Sequence, residues 1–507
     1  MCDNNPRVPL TNEVGAPIPD NENAVTAGPR GPVMMQDVWL LEKMAHFNRE
    51  VIPERRMHAK GWGAYGYLKI TEDISRYTKA KALQPGTCTN CFVRFSTVAG
   101  ERGAADTERD IRGFACKLYT SEGNWDIVGN NTPTFFLRDA HNFAGLNRAV
   151  KRDPHTGRRN AQSNWDFWSM LPEALLQITI TMSDAGIPAS FRNMDCFGEH
   201  TFSLYNENNE RVWCKFHFKT KQGLKYLTDE QAQQITGQNR EYHGQDLYNA
   251  IENRAYPRWT FAVQIMTDEE ARCHYENPFD VTKPWRESEF PLIEIGELVL
   301  NRNPTNFFAE VEQAAFAPAH VVPGVGFSPD KLLQGRLFAY GDAQRYRLGV
   351  NHNLIPVNQA KVPVTDNHRD GQMRTDDNYG ETIAYTPNSE GWWVPRPEYK
   401  EPPLCLKGAM WNFDPKDDPT DDTSRAPGEL YRSFDEGEKQ RLIDNTVRAI
   451  SSVTKNIQLR HCARCMQADY DYGKRLAQAL SLNICVVCEL SALSNEKLIE
   501  ATGHPYS

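Results

Sequence analysis

The 507-residue chain contains no run of roughly eighteen or more apolar residues, so no segment reads as a membrane-crossing helix. Its opening, Met1 to Gly15, lacks a basic stretch followed by an apolar core, and does not read as a secretory signal. Its ending, Gly503 to Ser507, lacks the Ser-Lys-Leu of peroxisomal import. Positive charge is not in excess: 57 Lys and Arg face 66 Asp and Glu, a formal net charge of −9. That balance argues against a general nucleic-acid or acidic-membrane surface. The 12 cysteines are scattered through a chain without a secretory signal, which predicts reduced thiols rather than a disulfide framework. Together these absences point to the cytoplasm, with a peroxisomal location by a non-standard signal as the alternative.

What is present is ordinary in bulk, 40% hydrophobic and 24% charged, and informative in its short patterns. The stretch Val325–Leu348 organises the reading. Ser328-Pro329-Asp330 predicts a helix start, with Ser as N-cap and Pro at the first helical position. The helix carries Leu332, Leu333, Arg336, Leu337 and Tyr340, and Gly341 is a plausible stop. Arg336 and Tyr340 are one helical repeat apart and share a face. A guanidinium beside a phenol favours the phenolate, a hard ligand suited to ferric iron. Arg347 lies further along and could reach an anion at the same face. Alone, the pair reads first as a cation–π contact on a surface helix.

A short helix is expected from Asp37 through Phe47, after an extended arm. Pro53 then breaks regular structure, and His58 stands alone in a charged loop; an imidazole near neutral pKa can move a proton in either direction. Gly61-Trp62-Gly63-Ala64-Tyr65-Gly66 has the letters of a dinucleotide loop but follows no strand and opens no helix, so it is not read as one, and a strand is expected at Tyr65–Ile70. Further strands are expected at Cys91–Phe95, Arg112–Thr120, Thr132–Leu137, His200–Tyr205, Arg211–Thr220, Arg258–Met266 and Leu292–Leu300, with a hairpin turn at Tyr205–Glu210. Helices are expected at Asn164–Leu171, Pro172–Thr181, Tyr242–Glu252, Glu436–Ile450 and Tyr472–Leu482. Closely spaced strands argue for an antiparallel barrel or sandwich within an α+β chain. Val350 to Pro427 holds many Pro, Asn and Asp residues, and Trp392 and Trp393 suggest that it packs over other surfaces. Ser96 and Asn130 are ordinary strand-end residues, or else a hydroxyl that orients His58 and an amide that holds a small oxygen-rich substrate. Cys462-x2-Cys465 and Cys485-x2-Cys488 have the spacing of a four-thiolate zinc site, against which stands the helical start between them.

Two of these stretches resemble the signatures of haem catalases. Phe47 to Gly61 is similar to the distal pattern F-x-R-E-x-I-P-E-R-x-x-H-A-K-G, and Arg336 to Gly349 to the proximal pattern R-L-F-x-Y-x-D-x-x-R-x-R-L-G. Gly341 and Tyr346 replace a common Pro and His there, and Trp62 stands where a smaller residue is usual. The resemblance runs from about Asn21 to the C-terminal helices. It implies an antiparallel β-barrel with an N-terminal arm (1–55), a haem domain (56–303), a proximal helix and wrapping segment (304–427) and a helical C-terminal domain (428–507). It implies disproportionation of hydrogen peroxide, protection of the cell from peroxide, and a homotetramer. His58 would be the distal acid–base group, Ser96 its hydrogen-bond partner and Asn130 the contact to peroxide. Tyr340 would ligate the iron of haem b, with Arg336 keeping the phenol deprotonated. Arg55, Arg94 and Arg347 would hold the propionates, and Phe143, with Phe135 and Phe136, would flank the macrocycle. Val98 and Asp110 would line the access channel. His217, Lys219 and Trp285 stand at positions some members use for NADPH. Ala185, Leu176 and Glu287 replace an arginine and two histidines, which argues against an anionic dinucleotide. Two other readings stay open: a haem enzyme of organic hydroperoxides on the same scaffold, and a zinc-stabilised or thiol-rich interaction protein.

Overall fold

A computed structural model describes residues 8–391, 393–406 and 408–503, in two compact units that divide after Glu54. In the first unit, Asp37 caps the helix Val38–Phe47 by accepting from the Leu40 amide, as its position before the apolar spacing predicts. Trp39 donates to Asn21 of the preceding arm at 2.8 Å.

The second unit is built on strands β1 (Gly61–Ile70), β2 (Cys88–Thr97), β3 (Arg112–Thr120), β4 (Gly123–Asn130), β5 (Cys196–Phe197), β6 (Phe202–Tyr205), β7 (Arg211–Thr220), β8 (Arg258–Thr267), β9 (Ile293–Arg302) and β10 (Val325–Gly326). All ladders between them are antiparallel. The pairings β1–β2–β3–β4–β5–β7–β8–β9–β1 close an eight-stranded barrel, and β6 and β10 extend from β7. Closure removes the exposed edges that an open sheet would leave. The interior is filled by aromatics, among them Phe95, Phe114, Phe216, Phe218, Trp259 and Phe261. A second core joins Trp165, Trp168 and Leu175 to the C-terminal helices through Leu442, Ile450, Cys462 and Tyr472.

The expected barrel-containing α+β fold is present, and the strands Arg112–Thr120 and Arg211–Thr220 and the helix Tyr242–Glu252 have the expected bounds. Four expectations are corrected. Thr132–Leu137 is loop, and the strand lies just before it in β4, because Pro133 has no amide to continue a ladder. Pro172–Thr181 divides into a 3-10 turn, Pro172–Ala174, and a helix, Leu175–Met182. Gly341 does not stop its helix, which runs Lys331–Leu348 and ends at Gly349, where φ is 105° and the absence of Cβ is needed. Its N-cap is Asp330, which accepts from Leu332 and Leu333 amides; Ser328 instead donates to the Thr201 carbonyl.

The strand expected at Tyr65–Ile70 is present and begins earlier, at Gly61, so that the Gly61–Gly66 letters lie within it. Trp62 fits there because Gly244 leaves space for its ring and Asp106 accepts from its indole nitrogen at 3.1 Å. Between 350 and 424 the described residues form only turns and short 3-10 segments; Trp393 packs edge-on against Tyr379, while Trp392 lies outside the described residues. Cys462 and Cys465 are buried in the helix Lys455–Ala468, and Cys485 and Cys488 are exposed on Ile484–Ser491. Among the described residues all cysteines are free, and no group of three or more His, Cys, Asp or Glu side chains is arranged to hold a metal ion. No described helix is long and apolar enough to cross a membrane.

Candidate active site

Strand register assembles one wall of the site. Gly61 pairs with Ser96, Ser96 with Gly113, Gly113 with Asn130, and Asn130 with Phe197, in one continuous rung. Residues directly opposite in antiparallel ladders present their side chains to the same face. His58 lies over the middle of that rung, its Nδ1 at 2.9 Å from Ser96 Oγ. Gly113 must be a glycine here: a Cβ would sit 2.4 Å from both His58 Nδ1 and Ser96 Oγ. His58 has φ of 63°, and its amide donates to the Val98 carbonyl. Asp110 in turn accepts from the Val98 and Ala99 amides, both at 2.7 Å, so these two residues fix the backbone that holds His58. Burial, and then the fields of Arg94, Arg336, Arg55 and Lys151, push the imidazole down to about 3, so it is neutral at physiological pH.

The facing element is the helix Lys331–Leu348. Arg336 Nη2 donates to the Tyr340 hydroxyl at 2.7 Å and to the Val128 carbonyl at 3.2 Å. Burial alone would lower the Arg336 pKa, but Tyr340 and Glu199 more than offset it and the guanidinium stays charged. His200 and Asp330 form a buried pair at 2.6 Å, and the Asp330 carboxylate also favours the charged form of the same arginine. In the sequence Asp330 stands only as part of the Ser328-Pro329-Asp330 helix start, and no local spacing links it to His200.

A third group is a cradle of guanidiniums. Arg55 donates to the carbonyls of Val311, Glu312 and Ala314, and Arg347 to those of Glu312 and Ala314. Arg94 donates to the His58 and Ala59 carbonyls, and the absence of a side chain at Gly61, on the neighbouring strand, leaves room for its guanidinium. The acid among them is Glu312, 3.7 Å from Arg55 and 3.8 Å from Arg347, at the end of a π-helical turn, Phe308–Glu312. Such turns recur at functional sites. Burial pushes Arg94 and Arg347 down to about 10, and Arg55 falls as well through burial and its two arginine neighbours. Arg55 Nη1 and Arg94 Nε are buried and have no hydrogen-bond partner.

Phe143 stacks on Phe135 at 6.4 Å and belongs with Phe136, Val98 and Met57 to one apolar cluster. At the positions considered for a dinucleotide, Lys219 is held by Asp195 at 2.7 Å with Glu287 at 4.0 Å, and His217 bonds Gln264 at 2.9 Å. Asp184, beside Ala185, is paired with Arg441.

The family model described as Catalase matches residues 11–391, and one described as Catalase-related immune-responsive matches 417–480. The chain is 58% identical over 476 residues to a catalase of Aliivibrio fischeri, covering 94% of this chain and 98% of that protein. It is 56% identical over 481 residues to a catalase of Staphylococcus warneri, covering 94% and 95%. A solved structure of a bacterial catalase superposes with a TM-score of 0.87 at 44% identity, over 94% of this chain and 98% of that one. Catalase A from Saccharomyces cerevisiae superposes with a TM-score of 0.89 at 38% identity, over 93% and 99%.

Proposed function

Because the chain belongs to the catalase family and is a peroxide-decomposing enzyme, we propose that it disproportionates hydrogen peroxide at a haem held between the His58 wall and Tyr340. The observation that carries this reading is the charge imbalance of the cradle. Arg55, Arg94 and Arg347 face one buried carboxylate, Glu312, and three minus one leaves an excess of two positive charges in a dry site. Buried charge without counter-charge is costly. A dianionic group fits the cradle, and the two propionates of haem are such a group. The unpartnered Arg55 Nη1 and Arg94 Nε are donors of the kind they would take up.

Tyr340 would hold the iron through its oxygen, with Arg336 bonded to that oxygen from the side. Bound haem would supply the redox chemistry that peroxide disproportionation needs. His58, neutral and held by Ser96, would take the proton from one peroxide oxygen and return it to the other, so that water can leave. Asn130 would orient the peroxide by hydrogen bond. Phe135, Phe136 and Phe143 would give the macrocycle apolar contact. Lys219, engaged by Asp195 and facing Glu287, supports the view that NADPH is not a strong ligand here. The protein would act in the cytoplasm as a homotetramer of b-type haem subunits.

The test is dioxygen release on an oxygen electrode during peroxide consumption by the haem-loaded protein. Release of one O2 for every two peroxides, without added reductant, is the expected result. Peroxide loss without O2 would favour a hydroperoxide-processing enzyme on the same scaffold.

A further inference from the structure

Glu199 follows β5 in a left-handed backbone conformation, φ 59°, and its carboxylate is buried. Left-handed backbone in a long side chain and a buried acid are both costly, so its contacts matter. One carboxylate oxygen accepts from Asn130 Nδ2 at 2.5 Å. The other lies 3.8 Å from Arg336 Nη1, which has no hydrogen-bond partner of its own. Arg336 in turn holds the Tyr340 hydroxyl. A single side chain therefore touches the amide on one wall and the guanidinium that serves the tyrosine on the other.

The chemistry of the contact fixes an orientation. An ionised carboxylate can only accept, so it selects the nitrogen end of the Asn130 amide and turns Oδ1 away. That Oδ1 is buried and has no partner in the protein. We propose that Glu199 is a positioning residue for peroxide turnover, setting the direction of the Asn130 amide and the placement of the Arg336–Tyr340 pair together. The proposal rests on the haem reading above. Burial raises the Glu199 pKa to about 7, while Arg336, Asn130 and Lys215 favour the charged form and Asp330 opposes it. These contacts offset burial only in part, so the ionised acceptor form that the Asn130 contact uses is lost as pH falls through that value.

The test uses full-length, haem-loaded protein and the variants Glu199→Gln, Asn130→Ala and the double variant. Glutamine keeps the shape but can donate as well as accept, so Asn130 loses its single orientation and Arg336 loses an anion. Glu199→Gln is expected to load haem, to melt near the wild-type temperature, and to lose about tenfold in the rate constant with peroxide, the size of one charged hydrogen bond. In the Asn130→Ala background the same change is expected to cost much less, because the two residues act as one unit. The resting absorption spectrum is expected to shift in Glu199→Gln, through Arg336 and Tyr340, and not in Asn130→Ala. Additive losses with an unchanged spectrum would overturn the proposal. So would loss of haem or of folding in Glu199→Gln, which would make Glu199 a structural requirement. If Asn130→Ala itself left the rate unchanged, the haem-site reading would fail instead.

Discussion

The wall that carries His58, Ser96 and Asn130 is made of strands, whereas the wall that carries Arg336, Tyr340 and Arg347 is one helix with cations buried along it. The first is positioned by backbone register. Ser96, Gly113 and Asn130 come from three strands and meet because their ladders align, and His58 is seated by a hydroxyl and by the space above a glycine. The second is positioned by helical spacing, with Arg336 and Tyr340 one turn apart, and by charge, with Glu312, Glu199 and backbone carbonyls around the guanidiniums. A register-built wall is rigid and tolerates little added volume. A charge-built wall has donors to spare and fits an anionic cofactor.

The comparison can be broken first at His58. His58→Ala should keep haem, since no cradle donor is lost, while peroxide turnover falls about 100- to 10,000-fold, the range of general acid–base catalysis. Haem content by absorption and O2 release by electrode measure both halves. Gly113→Ala should act on the same wall while keeping the His58 imidazole in the chain. Its methyl group must push His58 and Ser96 apart, so a fall of roughly ten- to a hundredfold is expected, again with haem retained. Equal loss of haem in either variant would erase the distinction between the walls.

Part of this contrast was legible in the amino-acid order. Arg336 and Tyr340 sit at helical spacing, and His58 and its flanking residues form a long pattern, so both could be found locally. Gly113 carried a weaker signal, an isolated glycine within a strand pattern, which marks a close approach. Glu199, Glu312 and the His200–Asp330 pair had none, because their roles come from partners far away in the chain. The same limit explains β4, where Asn130 reads as a strand-end residue and the strand is expected one segment late, at Thr132–Leu137. It also explains Lys455–Ala468, a helix so rich in polar residues that its burial could not be expected.

The smallest expected effect lies away from both walls. His461 is buried in that helix with its Nε2 3.5 Å from Cys465 Sγ, and burial pushes its pKa from 6.5 down to about 3. His217 is pushed down to about 3 as well, also chiefly by burial. Between the two values the unfolded chain binds more protons than the folded one, so stability falls as pH falls through that window. Melting temperature should therefore drop between pH 7 and pH 5, and His461→Gln should drop less steeply. An unchanged slope would mean that His461 takes up its proton in the fold as readily as in the unfolded chain.

The central claim is that the two walls enclose a haem whose iron is held by Tyr340, and haem titration followed by absorption tests it most directly. Wild-type apoprotein should take up one haem per chain, and Tyr340→Phe should bind it weakly or with a clearly altered spectrum. Full uptake by Tyr340→Phe with an unchanged spectrum would contradict the account.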